Sequence, residues 1–123
     1  MVRPVAILCL LGAALTAGCG GEIEVPEDEP TAHRGAVLFN ERCSGCHSLD
    51  AANAYGSKPE GEIQGGERTN GPDFNVRAET RDDVLFAIRN GGFSGQIMPA
   101  NIVVGDEARA VADFLAEYSG KGG

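Results

Sequence analysis

The chain has 123 residues, ten basic against 18 acidic, for a formal charge of −8. That length leaves room for one small domain. With no basic patch the surface would repel phosphate, which excludes a nucleic-acid partner.

Met1 to Arg3 give a short positive start, and residues 5–15 (VAILCLLGAAL) are apolar or small, with no charge until Glu22. The run is shorter than the roughly 20 apolar residues a membrane span needs, and it fits the apolar region of an export signal. It closes in "LTAGC", small residues before Cys19, which resembles the lipobox of bacterial lipoproteins. That resemblance implies lipid on Cys19 as the first mature residue. Thr16 stands where leucine is commonest, and ordinary cleavage nearby would leave Cys19 free.

Five acids (Glu22, Glu24, Glu27, Asp28, Glu29) and two prolines (Pro26, Pro30) lie between Cys19 and Thr31. This composition predicts a solvated, self-repelling linker able to extend about 40 Å. Without residues 1–18, which hold Arg3 and no acid, nine basic and 18 acidic residues remain, a formal −9. The expected organisation is a signal over 1–18, a lipidated cysteine with an acidic flexible linker over 19–31, and a globular domain over 32–123.

The first predicted helix lies in 32–43 (AHRGAVLFNERC), a proline-free stretch carrying Ala36, Val37, Leu38 and Phe39. It runs directly into Cys43, Cys46 and His47 of "CSGCHS". Residues 48–79 are irregular and rich in glycine. The second helix is expected in 80–92 (TRDDVLFAIRNGG), where Thr80 with Asp83 three later is a capping signal and Asn90-Gly91 a left-handed stop. After a second irregular stretch over 91–104, the third helix runs from Gly105 to about Ser119. Asp106 and Glu107 suit the positive end of its dipole, and Val111, Phe114, Leu115 and Tyr118 fall on one face. No alternating strand pattern and no internal repeat is present. Three helices of this size enclose little apolar volume, and such long loops are uncommon unless functional. A large apolar cofactor would fill the middle.

With Cys9 in the signal and Cys19 at the lipobox, Cys43 and Cys46 are the only cysteines left, too few for a disulfide-stapled scaffold. A zinc site would need a second Cys/His pair, and a thioredoxin-type motif a βαβ setting; neither is encoded. C-x-x-C-H is the signature of c-type haem attachment, with two thiols on one helical face for the two vinyl groups and His47 for the iron. Met98, the one methionine of the mature chain, sits in a loop shaped by proline and glycine. A methionine there can fill a gap or present a thioether. His33 lies too early on the first helix to reach the far face of a ring and reads as a surface histidine.

Residues 32–119 resemble the small monohaem cytochromes c of bacteria, class I, with histidine and methionine as axial ligands. Gly35 and Phe39 match the family's first-helix crossing residues, Phe114 its aromatic partner, "GPDF" (71–74) its glycine–proline turn, and "MP" (98–99) its methionine loop. The resemblance implies an all-α domain of about three main helices around one covalently attached haem c, with long irregular loops. It implies thioethers to Cys43 and Cys46, and His47 and Met98 as iron ligands. The Pro72 carbonyl is then expected to accept the Nδ1–H of His47, and Arg77 or Arg81 to pair a haem propionate.

Residues 54–68 (AYGSKPEGEIQGGER) are longer than the family needs, a partner contact or a tolerated surface insertion. The implied function is single-electron transfer rather than catalysis. The expected route runs from a quinol-oxidising complex (quinol–cytochrome c reductase) to a terminal cytochrome oxidase, by a monomer anchored through lipid to the outer face of the cytoplasmic membrane or in the periplasm. The alternative is a haem-binding subunit of a redox enzyme, or a haem peroxidase with an open sixth site.

Overall fold

The computed structural model describes residues 21–58, 70–93 and 97–122. The expected export signal, Cys19 and most of the loop expected over 54–68 lie outside the described residues. Helix α1 spans Pro30–Cys43, α2 spans Arg81–Asn90 and α3 spans Gly105–Tyr118. Between α1 and α2 lie a two-residue antiparallel ladder and one turn of 3-10 helix. In the ladder β1 (Ser48–Leu49) pairs with β2 (Ala54–Tyr55), and the turn Asp50–Ala52 bridges them. Strands of two residues are too short to leave an alternating pattern, so sequence gave no sign of them.

The start of α1 and both ends of α2 have readable causes. α1 starts two residues before the expected Ala32, because Pro30 occupies the first turn, where a missing N–H costs nothing. α2 is capped by Thr80, whose hydroxyl accepts the Asp83 N–H at 3.2 Å and donates to the Asp83 carboxylate at 2.7 Å. It stops at Gly91, which adopts φ 77°.

α1 and α3 cross in van der Waals contact, and Gly35 makes this possible. A Cβ at position 35 would run into the Ala110 carbonyl and lie 2.6 Å from the Phe114 Cβ. Phe39 packs edge-on against Phe114, ring centroids 6.0 Å apart, and against Phe74 at 5.9 Å. α2 leans on α3, and its Val84, Leu85 and Ile88 are buried. The core is correspondingly small, its largest fully enclosed side chains being Phe39, Phe114, Leu49 and Val111. Among the described residues no helix is long and apolar enough to cross a membrane.

The acidic stretch departs from expectation. From Gly21 onward it is docked on the domain rather than extended in water. Val25 is 2 % exposed and Ile23 packs against the core. Two apolar side chains that find a groove outweigh the repulsion of neighbouring acids, which all point outward.

Candidate functional site

Cys43 is the last residue of α1, and the chain turns immediately beyond it. The N–H groups of Cys46 and His47 both donate to the Cys43 carbonyl, at 3.1 and 3.0 Å. This turn keeps the spacing of three between the thiols tight, and both cysteines are free. Burial pushes the Cys43 thiol up to about 12, with Cys46 adding a smaller repulsion, so Cys43 is a protonated thiol at neutral pH.

The imidazole of His47 is held on three sides. Its Nδ1–H donates to the Pro72 carbonyl at 3.0 Å, the bond expected from the "GPDF" turn. The ring stacks on Phe74, centroids 4.8 Å apart with 14° between planes, and Phe39 lies beyond at 6.2 Å. Gly71 completes the seat, since a Cβ there would fall 2.5–2.8 Å from the ring atoms Cε1, Nδ1 and Nε2. With Nδ1 committed, Nε2 is the nitrogen left to coordinate. Burial lowers the His47 pKa; the Pro72 bond opposes that shift and the Arg77 charge reinforces it. The neutral ring is therefore favoured.

Cys43, Cys46, His47 and Met98 all line one cavity of about 320 Å³. Most of its wall is apolar, including Phe39, Val84, Ile88, Val111 and Leu115. Met98 arrives on the segment after α2. That segment is pinned by the Asn101 N–H to the Ile88 carbonyl at 2.7 Å and pressed against Gly91. The residues present suit a haem: two unpaired thiols three apart, an imidazole with a fixed tautomer, a thioether, and an apolar lining. Among the described residues no three His, Cys, Asp or Glu side chains converge into a metal cluster, so a zinc set is not assembled.

The polar wall differs in part from expectation. Arg77 lines the cavity and is paired with Glu79 at 2.5 Å. Arg81 is not among the lining residues; it is bound to Asp113 of α3, also at 2.5 Å. Arg42 does line the cavity, although sequence reasoning did not single it out. Its position next to Cys43 was the available signal. Phe74 belongs to the "GPDF" turn motif, and nothing in its sequence position signals the stacking role it takes. His33 lies away from the cavity and donates through Nδ1 to the Val25 carbonyl at 2.8 Å.

The profile of the family described as cytochrome c oxidase, cbb3-type, subunit III matches residues 30–115. Among solved structures, the c-type cytochrome SorU from Sinorhizobium meliloti is similar, at 30 % identity and a TM-score of 0.56. The likeness covers 76 % of this chain and 97 % of that one. A comparison with curated proteins gave no match. A CxxCH turn, a histidine braced by a proline carbonyl and a cytochrome fold coincide with a profile spanning most of the sequence. The chain belongs to the c-type cytochrome domains of that family, small haem-binding proteins of electron transfer.

Proposed function

We propose that the protein is a membrane-attached single-electron carrier. One haem is joined by thioethers to Cys43 and Cys46 and ligated by His47 and Met98. The observation that carries this reading is the placement of all four side chains on one apolar cavity. A haem bound there supplies reversible one-electron chemistry at iron. The chain's own contribution is to orient His47 through Pro72 and Phe74, to present a thioether at Met98, and to exclude water with aliphatic side chains. Two protein ligands leave no position for a substrate, so the reading is a carrier and not an enzyme. Histidine–methionine ligation raises the reduction potential, which suits a route from a quinol-oxidising complex to a terminal oxidase. Arg42 and Arg77 are the candidates to meet propionates. Lipid on Cys19 would hold the domain at the outer face of the membrane.

The family's description supports a second reading, a resident subunit of an oxidase rather than a mobile shuttle. Mild-detergent purification separates the two: a shuttle elutes alone, whereas a subunit elutes with a larger haem-containing complex.

Acid–organic extraction of the holoprotein tests the attachment. The haem is expected to stay with the polypeptide, raising its mass by one haem; release into the organic phase overturns the reading. Met98→Ala tests the carrier role. A soft thioether favours ferrous over ferric iron, so its removal should lower the potential and abolish the weak red-edge sulfur-to-iron band. The variant should then bind cyanide, which wild-type protein is expected to bind weakly. A wild-type protein that is already high-spin and binds peroxide avidly would move the assignment to a peroxidase.

A further inference from the structure

Residues 21–29 are fixed to the domain at four points along their length. The Asn53 side-chain amide donates to the Gly21 carbonyl at 2.8 Å, and the Glu24 N–H donates to the Ala51 carbonyl at 3.0 Å. Val25 is buried, and its carbonyl is held by His33. The Tyr118 hydroxyl donates to the Glu29 carboxylate at 2.8 Å. The seat of Gly21 is tight, since a Cβ there would collide with the Asn53 side chain. Asn53 is itself braced at φ 50°, with its carbonyl accepting from the Asn40 side-chain amide at 2.9 Å.

This changes what an anchor at Cys19 can do. Between Cys19 and the fixed Gly21 stands only Gly20. Two residues reach at most about 7 Å. A domain of about 100 residues has a radius of gyration of about 13 Å, so its far side cannot swing down to the attachment point.

We infer that the lipid surface itself is a fixed neighbour of one pole of this domain. That pole is built from residues 21–25 and the turn Asp50–Ala52. It communicates with the histidine side of the cavity, because the Asp50 N–H donates to Asn75 Oδ1 at 2.8 Å and the Asn75 amide donates back to Asp50 Oδ1 at 3.1 Å. Asn75 follows Phe74, the residue stacked on His47. Met98 hangs instead from α2, which packs on α3. On this inference the histidine side, tied to that pole through Asn75, is the side of the cavity nearer the bilayer. Glu22, Glu24 and Asp50 are exposed on the membrane pole and would be repelled by anionic headgroups, so the short leash, not adhesion, sets the orientation.

This inference rests on the reading of Cys19 as lipid-bearing, and its test separates the two. Full-length lipidated holoprotein is placed in oriented bilayers, and the electron paramagnetic resonance of the ferric haem is recorded against tilt angle. Wild-type signals are expected to vary with tilt. A Gly–Ser insert of about 20 residues between Gly20 and Gly21, spanning about 25 Å on average, should leave the protein membrane-bound with no angular variation. Val25→Asp, which frees the segment without lengthening it, should weaken the variation. Wild-type protein that is bound but shows no angular variation overturns the inference alone. An insert variant that keeps the wild-type pattern also overturns it. Wild-type protein absent from the membrane overturns the anchoring reading and the inference together.

Discussion

Gly71 sets how His47 sits, because its α-carbon is packed against the imidazole face. Gly71→Ala would place a methyl within 2.5–2.8 Å of three ring atoms, and the ring cannot retreat while Phe74 stacks on it. The expected cost is about 1–3 kcal/mol of holoprotein stability, typical of overpacking, together with a lower haem-loaded yield. Unfolding midpoints and the haem-to-protein absorbance ratio measure both; an unchanged midpoint would mean the seat is looser than it looks. At this scale sequence was informative where chemistry fixes the residue type. Two thiols, an imidazole and a thioether have few substitutes, so Cys43, Cys46, His47 and Met98 stood out. It was least informative for the arginines. Whether Arg42, Arg77 or Arg81 faces the cavity depends on how helices pack, and Asp113, distant in sequence, takes up Arg81.

The α1–α3 crossing is the element on which the rest is hung. Gly35→Ala should raise helix propensity by about 1 kcal/mol. It should nonetheless destabilise the protein, because the new Cβ meets a main-chain carbonyl of α3 that cannot rotate away. A net loss of about 1–3 kcal/mol in chemical denaturation is expected. A stabilised Gly35→Ala protein would show that the helices can part without penalty. All three helices were legible: Thr80 with Asp83 marked the start of α2, Gly91 its end, and one apolar face marked α3. The docked segment before α1 was not. Ile23 and Val25 are two apolar residues among five acids, and composition averages over a window that tertiary contact does not respect.

On the scale of the whole molecule, the Tyr118–Glu29 bond ties the last helix to the entry of the first. The hydrogen bond to the Glu29 carboxylate, then burial, pushes the Tyr118 phenol up to about 12. A free phenol titrates near about 10. The folded protein thus holds this proton more tightly than the unfolded chain does. The stabilisation is complete below about pH 10 and is lost as pH rises toward 12. An exposed pair of this kind contributes at most about 1 kcal/mol. Tyr118→Phe should therefore melt slightly lower than wild type at pH 8 to 9, with the gap closing toward pH 12. A gap that does not change with pH would assign the effect to packing on Phe114 instead.

The chain's last described residues double back in the same way. The Gly120 N–H donates to the Phe74 carbonyl at 2.8 Å and the Gly122 N–H to the Asn75 carbonyl at 2.9 Å. The turn that braces the imidazole is thus buttressed by residues synthesised long after it. If haem were attached while the chain emerges N-terminus first, the CxxCH turn would be offered before residues 120–122 can brace it, and the buttress would close on a site already filled.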